Sequence, residues 1–181
     1  MKGTLLLITT MLILIIYPAS LKAQDERDVR DMRTYERIYV GGTLGLQLGT
    51  TTTINISPMV GYRLTNRLSA GVGGTYQYYA DRTFGSFSQN VYGGSTFARF
   101  LVIPQVFLHA EYERVSLETV RYGTGGETGR VWEDNYFLGA GYRLPIGEKS
   151  FFNIMLLYNL NQNSEVYYQN PQFRFGVDFG L

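Results

Sequence analysis

The chain has 181 residues, a length that suits one domain. It is rich in glycine (21), tyrosine (15) and phenylalanine (11) and has no cysteine, which favours a sheet-rich, turn-rich fold and excludes disulfides. With 16 basic and 15 acidic residues and no clustered basic stretch, the sequence argues against nucleic acid as a partner.

Residues 1 to 23 predict a cleaved signal peptide. Lys2 supplies a positive start, residues 5 to 16 are almost wholly apolar, Pro18 ends the run, and Ala23 offers a small residue for cleavage before Gln24. A retained membrane anchor is the alternative. The apolar run is shorter than the ~20 residues of a spanning helix, which argues against that anchor.

Residues 24 to 36 predict a short polar lead-in on the periplasmic side. The stretch mixes charges of both signs and has almost no apolar residue, which is typical of a solvated segment. Loss of Lys2 and Lys22 with the signal peptide leaves one acidic residue more than basic residues.

Residues 37 to 181 predict an all-β fold, an eight-stranded antiparallel up-and-down transmembrane β-barrel. Apolar side chains alternate with small or polar ones at a period of two, as on the two faces of a strand. Segments of about ten residues match tilted strands that cross a bilayer, whereas strands of soluble sheets are typically nearer five or six. The predicted strands are residues 38–49, 54–64, 68–78, 92–102, 106–113, 135–144, 152–161 and 172–181.

The predicted links between strands alternate in length, as do the tight periplasmic turns and longer outer loops of outer-membrane barrels. An even number of strands then places both chain ends in the periplasm. The short links are 65–67, 103–104 and 145–149; the longer ones are 80–90, 121–130 and 162–171, and the first, 50–53, is an exception.

Aromatic side chains on the apolar face predict two girdles at the membrane rims, where rings lie among lipid headgroups. A weak repeat, Gly-Tyr-Arg-Leu at 61–64 and 141–144, places such a ring beside an inward arginine. The predicted girdle residues are Tyr62, Tyr76, Tyr78, Tyr92, Phe100, Tyr112, Trp132, Tyr136 and Tyr142.

Charged side chains on the opposite face predict a network inside the barrel. The interior of eight strands is just wide enough to be filled by side chains, so opposite charges there should pair and close it. A gated or narrow ion path is the alternative. The predicted network consists of Arg63, Arg99, His109, Glu111, Glu113, Arg143, Arg174 and Asp178.

The sequence predicts no catalytic, cofactor-binding or metal site. A barrel hydrolase that acts on lipid A needs histidine, serine and a carboxylate together, but Ser116 and Glu118 lie beyond the predicted end of the strand that carries His109. One histidine without cysteine is a weak basis for a metal site. The glycine-rich stretches 71–74 and 123–130 precede no helical pattern, which argues against phosphate loops.

Over residues 37 to 181 the chain resembles the OmpA/OmpX-like family of small outer-membrane barrels. The most specific part is the alternating end, residues 173 to 181, which is similar to the C-terminal signal read by the barrel-assembly machinery, although Leu181 stands where that family commonly ends in phenylalanine. The resemblance implies no cofactor and a role in envelope integrity, adhesion or ligand contact. Its implied partners are outer-membrane lipid, lipopolysaccharide and that machinery. A subunit of a larger envelope assembly is the first alternative, and a lipid-modifying enzyme or narrow channel the second.

Overall fold

The computed structural model describes residues 28–47, 51–81, 87–120, 128–161 and 170–181, so the predicted signal peptide lies outside the described residues. These residues form one closed antiparallel barrel in which each strand pairs with the next. The strands are β1 (Ile38–Gln47), β2 (Thr51–Arg63), β3 (Leu68–Asp81), β4 (Phe87–Ile103), β5 (Val106–Val120), β6 (Thr128–Pro145), β7 (Ser150–Asn159) and β8 (Gln172–Gly180).

The barrel closes between the first and last strands. Tyr39 lies opposite Gly180 and Leu44 opposite Phe175, so β1 and β8 pair along six residues. This closure confirms the predicted eight-stranded up-and-down barrel. Within the described ranges, no helix has the length and apolar character that a membrane span requires.

The outer face of the barrel carries the apolar half of each alternating strand. Leu44, Val72, Leu108 and Leu156 are exposed there, whereas their odd-numbered neighbours point inward. Among the residues that the structure describes, none covers this belt. The polarity of the fold is therefore the inverse of a water-soluble barrel, whose apolar residues fill the centre.

Strand ends at the longer-loop side differ from the prediction. β5 continues to Val120 and β6 begins at Thr128, so the predicted ends at residues 113 and 135 are wrong. Likewise, β3 continues to Asp81 and β4 begins at Phe87, whereas the predicted strands ended at residue 78 and began at residue 92. In the extension of β5 and β6 the outward positions include the exposed charged residues Arg114, Glu118 and Arg130, so the alternating signal is lost there although the backbone pairing continues.

The lead-in is not wholly solvated, contrary to the prediction. It forms two short 3₁₀ turns, Val29–Asp31 and Thr34–Arg37, and the Val29 side chain is buried. The Val29 N–H donates to Asn66 Oδ1 on the β2–β3 turn at 2.7 Å. Asp28 caps the first 3₁₀ turn, since its Oδ1 accepts from the Arg30 N–H at 3.0 Å. This hydrogen bond holds the pKa of the Asp28 carboxyl below its usual range.

The interior carries clusters of apolar side chains. Phe107, Phe137, Met155 and Leu157 form one buried cluster, and Tyr39, Met59 and Phe97 form another. Three aromatic residues lie directly opposite glycines on the next strand, as the pairs Tyr39–Gly61, Phe97–Gly71 and Phe107–Gly141.

In each pair the ring occupies the space that a Cβ on the glycine would need. These glycines therefore let large rings lie flat against the narrow inner wall.

Candidate functional site

A chain of charged side chains crosses the interior of the barrel. Arg99 on β4 donates from Nη1 to Asp178 Oδ2 on β8 at 2.7 Å. In a ring of eight strands, β4 and β8 stand on opposite walls, so this pair spans the lumen. The two residues are 79 positions apart in the sequence.

His109 on β5 connects this pair to a second one. The Arg99 Nε–H donates to His109 Nδ1 at 3.2 Å, and His109 Nε2 lies 3.0 Å from Glu111 Oε2. Since Nδ1 accepts a hydrogen bond, the imidazole proton belongs on Nε2, from which it is donated to the carboxylate. The contacts thus fit a neutral histidine bridging Arg99 and Glu111.

The second pair returns to β8. The Arg174 Nη1 donates to Glu111 Oε2 at 2.8 Å, and both side chains are almost completely buried. The Arg174 Nε donates to Gln172 at 2.8 Å. A buried carboxylate without its cation is strongly unfavourable, so Arg174 and Glu111 each depend on the other for a place in the interior.

Aromatic rings flank both arginines. The Arg99 guanidinium carbon lies 5.0 Å from the centroid of Phe97 and 5.2 Å from that of Phe107. The Arg174 guanidinium carbon lies 4.6 Å from the centroid of Phe137. Cation–π contact strengthens away from water, so the inner aromatic residues help to hold the cations as well as to fill space.

The other predicted network residues lie elsewhere in the interior. Glu113 accepts a hydrogen bond from Thr75 Oγ1 at 2.7 Å, nearer the longer loops. Arg63 and Arg143 are half-buried near the short turns, where Arg143 lies 4.5 Å from the centroid of Phe151. These contacts join Arg99, His109, Glu111, Arg174 and Asp178 of the eight predicted residues, whereas Glu113 lies further toward the longer loops and Arg63 and Arg143 toward the short turns.

The predicted girdle residues all lie on the outer face. At the longer-loop side, Tyr112 and Tyr136 are 5.4 Å apart between centroids, and the Tyr112 hydroxyl donates to Asp134 at 2.8 Å. Arg130 lies 4.2 Å from the centroid of Tyr92, and Arg114 lies 5.7 Å from that of Trp132. Tyr76 and Tyr78 lie on the same rim, whereas Tyr62, Phe100 and Tyr142 lie near the short turns.

Ser116 and Glu118 lie within β5, not beyond its end as predicted. Ser116 shares the outward parity of Leu108 and lies seven residues from inward His109, about 23 Å along the strand. Glu118 pairs with Arg130 at 3.8 Å. The structure therefore does not assemble the three residues, and the described residues include no group of three or more potential ligands that could hold a metal ion.

Comparison with known proteins gives structural likenesses only. No family model matches the chain, and no curated protein matches it. Nine chains of solved structures match. One is the N-terminal β-barrel domain of Pseudomonas aeruginosa OprF, with 16% identity and a TM-score of 0.46 over 80% of this chain and 98% of that chain.

Another is a chain from the de novo design of transmembrane β-barrels, with 14% identity and a TM-score of 0.42 over 82% of this chain and 98% of that chain. The fold assignment rests on the strand register rather than on these likenesses.

Proposed function

We propose that the chain is an integral outer-membrane β-barrel with a structural or surface-interaction role, both of its ends in the periplasm and its interior closed by its own side chains. One observation carries the proposal, the inverted polarity of the wall. Large apolar side chains cover the outside, while Arg99, Glu111 and Arg174 are buried inside. Such a surface is unfavourable in water and favourable against acyl chains.

The dimensions of the outer face support the same proposal. Strand lengths of 9 to 18 residues meet the ~9–11 that a tilted membrane strand needs. From Tyr92 to Val102 the outer residues of β4 span about 33 Å along the strand. At a tilt of about 40° this gives a height of about 25 Å, the expected height of an apolar band between aromatic girdles.

The filling of the interior supports a structural role over a wide pore. Arg174, Phe107, Phe137 and Met155 are among the largest fully buried side chains, and all of them point inward. At the level of these side chains, an eight-stranded barrel leaves little further room. In planar bilayers we expect no stable open channel, and the double variant Glu111→Gln with Glu113→Gln should leave the baseline unchanged. A new conductance in that variant would instead support a gated ion path.

The single tryptophan gives a direct test of membrane insertion. Trp132 is exposed on the outer face at the longer-loop rim. In vesicles of brominated phospholipid, its fluorescence should be quenched more strongly by bromines near the headgroups than by bromines near the chain ends. The matched variant, Trp132→Phe with Leu138→Trp, moves the fluorophore to the middle of the belt and should reverse that order.

Quenching by aqueous iodide alone in both proteins, or a mature protein that stays dissolved without detergent, would contradict the proposal. Migration that changes on boiling in gel electrophoresis checks that both variants are folded before the fluorescence is compared.

The projecting part of the β5–β6 hairpin supports the surface-interaction role. Arg114, Glu118 and Arg130 lie on its outer face, near the exposed rings of Tyr92 and Trp132. Charges and rings at this height suit contact with lipopolysaccharide or another envelope protein. Co-purification from native outer membranes distinguishes a subunit of a larger assembly from a free-standing barrel. A stoichiometric protein partner would support the assembly subunit, and the absence of such a partner would support the free-standing barrel.

A further inference from the structure

A cavity of about 420 Å³ lies inside the barrel at the short-turn end. Its floor is the Arg99–Asp178 pair, and its walls include Phe107 and Phe151. The first 3₁₀ turn of the lead-in borders it through Val29, so this mouth of the barrel is partly covered by the chain itself. The volume lies within the ~300–1,000 Å³ that small-molecule sites commonly occupy.

The lining of the cavity has a surplus of positive charge. The cavity is lined by Arg63, Arg67, Arg99, Arg143 and Lys149, whereas Asp178 is the one carboxylate side chain among the described residues that line it. Arg99 is paired with Asp178, and Lys149 Nζ donates to the Leu181 carbonyl at 2.8 Å. Arg143 is held in place by the Phe151 ring and by the Pro104 carbonyl, which it contacts at 2.5 Å through Nε. An anion in this space would therefore meet cations on several sides.

Asn153 supplies a polar side chain to the inner wall of the cavity. It is 1% exposed and lies directly opposite Arg143 in the pairing of β6 with β7. An amide and a guanidinium on neighbouring strands therefore line the same part of the cavity.

Water is the simplest occupant of such a space, but the walls are not those of a water site. The inner rings of Tyr39, Phe107 and Phe151 and the side chain of Leu101 face the cavity beside the polar groups. Water sites are small and polar, with two to four polar partners for each molecule. Apolar walls with a few convergent donors are typical of sites for organic ligands.

We propose that this turn-end cavity binds a small amphipathic organic anion, with its carboxylate or phosphate head near Asn153 and the cationic rim and its apolar part against the inner rings. The proposal concerns the interior of the folded barrel, so it does not depend on the membrane in which the barrel resides. Carboxylate and phosphate heads share the chemistry that the donors recognise, and the experiment separates them.

The test is titration of the folded full chain in a neutral detergent with octanoate labelled with ¹³C at the carboxyl carbon, in parallel with octyl phosphate, octanol and inorganic phosphate. Protein-free micelles give the background. Saturable shifts of the ¹³C resonance, and competition by octyl phosphate, are the expected results. Equal competition by octanol would overturn the anionic head, and equal competition by inorganic phosphate would overturn the apolar part. No saturable binding by any probe would leave water as the occupant and overturn the proposal.

Isosteric variants locate the binding. Asn153→Asp replaces a neutral amide in the cavity wall, opposite Arg143, with an anion and should weaken octanoate binding at least about tenfold. Asn55→Asp is the matched control, since Asn55 is also 1% exposed and points inward but does not line the cavity. Equal affinities in these two variants would place the binding elsewhere.

A second pair of variants tests the same cavity in case Asn153→Asp does not fold. Arg67 is exposed on the β2–β3 turn and lines the cavity, whereas Arg30 is exposed in the lead-in and does not. Arg67→Gln should weaken binding about threefold, and Arg30→Gln should leave it unchanged. Equal effects of Arg67→Gln and Arg30→Gln would contradict the assigned cavity.

Discussion

Leu108 and His109 are neighbours on β5, yet they meet opposite surroundings. Leu108 is 50% exposed on the outer face, whereas His109 is 3% exposed and bonded on both ring nitrogens. Apolar contact on the outer face is non-directional, so many residues would serve there. The inner face depends on particular partners at particular distances. The inner face should therefore tolerate fewer substitutions than the outer face, and each of the following variants tests that difference.

The largest expected effect is the loss of Glu111 from the inner network. Glu111→Ala leaves Arg174 and His109 without their shared carboxylate and should lower the free energy of unfolding by ~3–5 kcal/mol. Urea unfolding of the barrel in phospholipid vesicles, followed by Trp132 fluorescence, measures the change.

Two controls sharpen this prediction. Glu118→Ala, on the exposed face of the same strand, should change stability by no more than ~1 kcal/mol. The double variant Glu111→Leu with Arg174→Met, which removes both charges, should recover much of the loss. If Glu118→Ala lowered the free energy of unfolding as much as Glu111→Ala, the inner face could not be less tolerant of substitution than the outer face.

On the outer face, only a charge at the middle of the belt should approach that effect. In the proposed membrane, Leu138→Arg places a cation in the middle of the apolar belt, between Tyr136 and Tyr142, and should cost ~2–4 kcal/mol. Leu64→Arg is the matched control, since Leu64 is 49% exposed and Leu138 53%, but Leu64 lies in the short β2–β3 turn. It should cost ~0–1 kcal/mol. Equal costs in vesicle unfolding would contradict the membrane belt.

The contrast between the faces also explains what the sequence could predict. An outer residue needs only to be apolar, so Leu44, Val72 and Leu138 could be assigned from alternation alone. The recurrence of apolar residues at every second position indicated how many strands the chain forms, and the short turns could then be assigned between neighbouring strands. The extension of β5 to Val120 could not be seen, because Arg114 and Glu118 occupy outward positions there without an apolar signal.

Inside the barrel, parity predicted which charges point inward but not which of them meet. Glu111 and Arg174 are 63 residues apart, so their contact depends on the closure and register of all eight strands. The same register sets Phe107 on β5 opposite Gly141 on β6. The burial of Val29 could not be predicted from the sequence, because a single valine among charged residues forms no periodic apolar pattern.

A third variant tests the packing of inner rings on glycine. In Gly141→Ala the new methyl group meets the Phe107 ring, which must shift toward Arg99, so we expect a loss of ~1–3 kcal/mol. Gly129→Ala is the matched control on the same strand, because its methyl group would meet no atom within 4 Å. It should change stability by no more than ~0.5 kcal/mol. Equal losses would show that flexibility at glycine, rather than the ring above it, explains the effect.

The smallest effect is expected at an ion pair that resembles the inner ones in chemistry but not in surroundings. Arg114 Nε lies 3.6 Å from Asp134 Oδ1, with both side chains about half exposed within the aromatic girdle, between the levels of Tyr136 and Trp132. Arg114→Ala should cost ~0–1 kcal/mol, and the loss should shrink further as salt is added because water and ions screen the pair. The free energy of unfolding of Arg114→Ala, measured at low and at high salt, gives this loss, and Glu111→Ala serves as the salt-insensitive reference. If Arg114→Ala were as costly as Glu111→Ala at high salt, burial inside the barrel could not be what makes the inner pairs strong.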